Sequence, residues 1–130
     1  HYMAINPVWD RDQCLEAMTR RFNIARDWAV FFERYPVLLM PNSWERQFPI
    51  DEDQRSPDRI AQIFLAQAPM LGTATLGLPG LSVPTGVVNG LPVGVQIVST
   101  KFREDRLLAA GEVIERAAQF SALDHLLRQG

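Results

Sequence analysis

The chain has 130 residues, 13 Lys plus Arg against 15 Asp plus Glu, and 47% hydrophobic residues. That is enough for one domain with one core, 1–130, and the near-balance of charge leaves no basic field to hold a nucleic acid. Cys14 is the single cysteine, which excludes an internal disulfide and a multi-cysteine metal site and fits a reducing, cytoplasmic setting; no stretch is built like a signal peptide or a membrane span.

His1 and Tyr2 precede Met3 and are set aside from the fold argument, whether native or left over from expression. From Asp12 to Arg34, Leu15, Met18, Phe22, Ala25, Ala29 and Phe32 recur at spacings of three and four, which predicts a helix. Ile24, Trp28 and Phe31 widen its apolar stripe, so it needs cover on more than one side, with Arg20, Arg21, Arg26 and Glu33 towards water. Val37 to Met40, between Pro36 and Pro41, predicts a short inner strand, and Asn42 to Arg55 a surface loop with a solvated acidic run, Asp51 to Asp53.

Ser56-Pro57-Asp58 is a helix start: a capping hydroxyl, a proline where no donor is missed, and a carboxylate at the positive end of the dipole. That helix carries Ile60, Ile63, Phe64 and Gln67 on one flank, and Pro69 either ends it or begins a second helix running to Gly77. Gly77 to Val98 has no charge but is broken too often by Gly and Pro for a helix. It reads as two strands, Leu81 to Pro84 and Val93 to Val98, joined at Asn89-Gly90 and buried on both faces. Arg103 to Gln119, with Leu107, Ala110, Gly111, Ile114 and Ala118 in helical register, predicts a helix lying on that sheet, and Ser121 or a residue beside it is expected to cap a last one, Leu123 to Leu127.

Residue chemistry alone yields no complete active site. Ser43, Ser56, Ser82, Ser99 and Ser121 all lie outside a Gly-x-Ser-x-Gly elbow, Lys101 is the sole lysine, and His125 is the only histidine after His1. Cys14, among apolar neighbours on a helix, is expected to be a small buried hydrophobe with an inert thiol. Neither the donor set for a metal nor a phosphate-cradling glycine pattern is present, so no cofactor is expected.

LLMPNSWERQFPID followed by LGLPGLSVPTG, NGLPVGVQIV and FREDRLLAAGEVIE resembles, in order and spacing, the C-terminal part of the amidase signature family. These are serine hydrolases that convert amides and water to a carboxylate and ammonia or an amine. The resemblance covers roughly residues 12 to 120 and implies an α/β fold, with about three short buried strands of a mixed sheet covered by amphipathic helices. It also implies that the Ser, cis-bonded Ser and Lys of the family's triad belong to upstream sequence, so no catalytic residue is assigned here and the chain alone is expected to be inactive. By position, Phe64, Gln67 and Leu71 match a helix face lining the substrate channel, and Pro41 and Pro79 its floor. Ala74 stands where relatives commonly carry Asn, which removes one polar contact from that inference.

The expected partners are the missing N-terminal amidase core or a second copy, plain or swapped, with a small-molecule amide as ligand of the whole enzyme. Apolar helix sides and sheet edges left open by these residues would drive that association. A non-enzymatic binding or structural domain that kept the scaffold is the alternative.

Overall fold

The computed structural model describes residues 8–128, so His1 and Tyr2 lie outside the described residues. Asp10 opens helix α1 (Arg11–Arg34): its carboxylate accepts the Gln13 N–H at 2.8 Å, and the Gln13 side chain accepts the Asp10 N–H at 3.0 Å. This reciprocal pair satisfies two donors that the first helical turn cannot. Strand β1 (Leu38–Pro41) follows, then a loop, a 3-10 turn (Glu52–Gln54), and helices α2 (Pro57–Ala66) and α3 (Ala68–Leu76). Strands β2 (Gly80–Val88) and β3 (Leu91–Val98) form a hairpin, and helices α4 (Glu104–Ala118) and α5 (Ala122–Leu127) complete the order.

Local chemistry explains the junctions. Ser56 Oγ accepts the Arg59 N–H at 3.1 Å as the cap of α2, and Pro57 occupies a position where no N–H is missed. Gly77 ends α3 with φ +67°, and Asn89 and Gly90 turn the hairpin with φ of 54° and 81°, the positive pair that a two-residue turn requires. Pro69 therefore begins a second helix.

β3 is the central strand, antiparallel to both neighbours in the order β1-β3-β2, with Leu38 and Gly80 both opposite Val98. Pairing is irregular between Pro84 and Gly86, where a proline without an N–H is tolerated on an edge strand. Alternation sends Leu81, Val83, Val95 and Ile97 to one face, where they pack with Leu107, Ala110 and Ile114 of α4. Gly111 lets α4 come this close: a Cβ there would lie 2.6 Å from Leu81 Cδ2. The opposite face carries Ser82 and Gln96, and α3 is fastened to it by the Gln96 Nε2 bond to Thr73 Oγ1, 3.2 Å. α1 lies against α3, where Arg21 Nε donates to Thr75 O.

Several expectations need correction. In α1 the inward side is Ala17, Arg21, Ala25, Trp28 and Phe32, while Leu15, Met18 and Phe22 are exposed; a stripe this wide does not reveal which part is covered. Arg21 is engaged with α3 rather than turned wholly to water. Cys14 is exposed, so it is not the buried hydrophobe its apolar neighbours suggest. Burial on both faces holds at the base of the hairpin, where Gln96, Ile97 and Val98 are buried, but not at its tip, where Val87, Val88 and Leu91 are exposed. The acidic run is not uniformly solvated, because the Glu52 side chain is only 18% exposed and receives Arg59 Nε at 3.0 Å.

Candidate functional site

A cavity of about 570 Å³ opens where the end of β1, the following loop, the α2–α3 junction and the start of β3 meet. Pro41, Asn42, Ser43, Trp44, Gln67 and Pro92 are among its lining residues. Pro41 reaches it as the last residue of β1, opposite Val95. Gln67 reaches it because it both closes α2 and opens α3: its N–H donates to Ile63 O at 2.9 Å, and its carbonyl accepts the Leu71 N–H at 3.0 Å. The chain thus turns from one helix to the next at Gln67 without losing its hydrogen bonds.

The loop wall is fastened by its own polar groups. The Trp44 N–H and Ser43 Oγ both donate to Ala66 O, at 2.7 and 3.2 Å, and Gln47 Nε2 donates to Pro92 O. Arg59 forks onto Glu45 at 2.6 and 3.1 Å and adds Glu52 at 3.0 Å. Hydrogen bonding from that guanidinium holds the Glu45 carboxyl below its ordinary value, and the same bonds push Arg59 up. Beside the paired Glu45 and the Arg46 side chain, the wall offers aromatic and proline surface together with uncharged amide and hydroxyl groups, a mixed lining suited to a polar molecule.

Of the five residues singled out from sequence, the structure brings Pro41 and Gln67 together. Phe64 and Leu71 lie one helical turn to either side of Gln67, each 39% exposed, beside the cavity and not in its lining. Pro79 is elsewhere. It precedes β2, and its carbonyl accepts the Ser99 N–H at 3.3 Å, four residues along β3 from the level of Pro41, or roughly 13 Å at the usual strand rise.

The serine hydroxyls are engaged in the scaffold. Ser99, fully buried, donates to Pro36 O at 2.7 Å, and Ser82 donates to Asn42 Oδ1 at 3.2 Å. Ser56 and Ser121 accept backbone N–H groups as helix caps. In each of these bonds the partner is a backbone group or an amide, which cannot take up a hydroxyl proton. His125 Nε2 lies 3.3 Å from Gly90 O at the hairpin turn, and Lys101 is exposed beside Gly77. Among the described residues no group of three His, Cys, Asp or Glu could hold a metal ion, and no helix is long and apolar enough to cross a membrane.

Sequence reasoning missed Trp44, Asn42 and the Arg59 clasp. The Asn42–Ser82 bond joins residues 40 apart, and only the register of the sheet brings them together.

Comparison with known proteins gives a consistent result. A family model described as Amidase matches residues 5–108. An indoleacetamide hydrolase of Bradyrhizobium japonicum is 36% identical over 112 residues, 85% of this chain and 24% of the relative. A glutamyl-tRNA(Gln) amidotransferase subunit from Desulforudis audaxviator is 38% identical over 103 residues, 79% of this chain and 20% of the relative. Its counterpart from Rhodospirillum rubrum is 38% identical over 108 residues, 82% and 21%. The chain therefore spans about a fifth to a quarter of the length of these curated relatives.

Proposed function

The chain belongs to the amidase family, and from that premise we propose that it serves amide hydrolysis as scaffold and substrate-channel wall, with the bond-breaking groups supplied by polypeptide outside these residues. The observation that carries this reading is the convergence of Pro41 and Gln67 on one cavity with a polar, partly aromatic lining. Two residues placed on the channel by resemblance alone meet there in space.

The five candidate contacts then divide by position. Gln67 presents an amide that can both donate to and accept from a carboxamide, and Pro41 gives that group a rigid floor. Phe64 on α2 and Leu71 on α3 flank Gln67 towards the part of the ligand that does not react, and Pro79 belongs to a different stretch of wall. The serines seen here are engaged in caps and crosslinks, which is in keeping with a nucleophile located elsewhere.

Partnership follows from exposed apolar surface. Leu15, Met18, Phe22 and Val30 stand out from α1 between 49% and 63% exposed, and among the described residues both outer strands of the sheet have an unpaired side. Either the rest of an amidase fold or a second copy of the chain would cover them.

Indoleacetamide, the compound in one relative's name, is the first probe. The purified chain should release no ammonia from it above a blank. Mixed with a separately produced N-terminal amidase portion carrying the Ser, cis-Ser and Lys, it should restore release. Ammonia from the chain alone, or none from a mixture shown to associate, would overturn the proposal.

A further inference from the structure

The loop after β1 has no periodicity, yet residues 43–47 are held at four points. Two lie at the C-terminal end of α2, where Ala66 O takes both Trp44 N–H and Ser43 Oγ, and one lies at the hairpin, where Gln47 meets Pro92 O. The fourth, Arg59, is the only one that uses charge. Its fork onto Glu45 and third bond to Glu52 join the loop to the 3-10 turn as well as to the helix.

Geometry distinguishes this cluster from an ordinary surface ion pair. The Arg59, Glu45 and Glu52 side chains are 19%, 33% and 18% exposed, whereas Arg26 and Asp27 are 74% and 72% exposed. A planar guanidinium fills a bidentate acceptor in one orientation, so the pair fixes direction as well as distance. The residues on either side of Glu45 are Trp44 and Arg46, both lining the cavity.

We propose that Arg59 is a positioning residue for this cavity: by clasping Glu45 and Glu52 it holds the Trp44-to-Gln47 wall in place opposite Pro41 and Gln67. The inference rests on the reading of this cavity as channel wall, although Arg59 itself touches none of the lining groups proposed to meet a ligand. The charged groups facing the clasp are Glu45 from the loop, Glu52 from the 3-10 turn, Arg55 just after it, and Arg59 from α2.

The test is amide hydrogen exchange on the 130-residue chain and on Arg59→Met, Arg59→Lys and Glu45→Gln. Exchange at residues 44–48 should speed up about five- to tenfold in Arg59→Met and Glu45→Gln, with Ile97 and Val98 unchanged. Arg59→Lys, which keeps the charge and loses the fork, should fall between. Wild-type loop protection should also decline as pH falls through the lowered Glu45 range, a step that Glu45→Gln weakens.

Unchanged loop exchange would overturn the proposal, and so would acceleration spread equally over loop and core. If Arg59→Met does not fold, the isosteric Glu45→Gln decides by the same criteria. Titration of the wild-type chain with indoleacetamide, followed at the Gln67 side-chain amide, is a separate arm. No shift there would tell against the channel reading while leaving the exchange result to judge Arg59.

Discussion

The two faces of the same three strands are built for different work. Towards α4, Leu81, Val83, Val95 and Ile97 meet Leu107, Ala110 and Ile114 in a layer made only of hydrocarbon. Towards α3, the same strands present Ser82 and Gln96, joined to Asn42 and Thr73 by hydrogen bonds, and a cavity opens further along near Gly94. Gln96 Oε1 is buried with no hydrogen-bond partner among the described residues, a cost that the α4 face nowhere incurs. Alternation along a strand thus lets one sheet carry a hydrocarbon core on one side and a hydrogen-bonded face beside a cavity on the other.

The contrast is broken most severely from the hydrocarbon side. Ile97→Ala, at 1% exposure, should lower stability by about 2–5 kcal/mol through lost transfer energy and an unfilled cavity; a loss below about 1 kcal/mol in denaturant unfolding would mean the α4 face is not the core. Gly94→Ala should cost about 1–3 kcal/mol, because its Cβ would lie 2.4 Å from Val83 O and backbone cannot step aside as a side-chain tip can.

Gly111→Ala sharpens the comparison, since two effects oppose each other. Helix propensity returns about 1 kcal/mol, while crowding Leu81 Cδ2 costs about 1–3 kcal/mol, so a small net loss is expected. On the other face, Gln96→Met removes the unpartnered oxygen at similar volume and should change stability by less than about 1 kcal/mol. Equal losses for Ile97→Ala and Gln96→Met would erase the distinction between faces.

The smallest effect is at the start of α4. The hydrogen-bonded Arg103 guanidinium, at 2.9 Å from each Asp105 oxygen, holds that carboxyl down at about 2. A depressed carboxylate stabilises the fold fully above its ordinary value of 3.8, and that contribution is lost as pH falls through about 2. An NMR titration of Asp105 with a midpoint near 3.8 would show that the pair does not persist in solution.

What can be read from sequence is local. Ser56-Pro57-Asp58, Asn89-Gly90 and Gly77 set caps and turns within a few residues of themselves, so their elements are legible without any partner. The cavity is only half legible: Gln67 and Pro41 come from resemblance, but their meeting depends on Ser43 and Trp44 bonding to Ala66 O, a link that no short window contains. Arg59 lies 14 residues from Glu45 and 7 from Glu52 across an aperiodic loop, where neither helical nor strand spacing links them. Cys14 defeats such reading because apolar neighbours on a helix say nothing about which side another element will cover.

Its exposure has a use. The one thiol in the sequence sits on α1 at the edge of a groove with Trp9, Met18, Ile24 and Leu76, on the helix whose outer apolar side chains are exposed. A maleimide can label no other cysteine, so its rate of attachment becomes a clock for coverage of that helix, fast when the helix is bare and slow once another molecule has docked there.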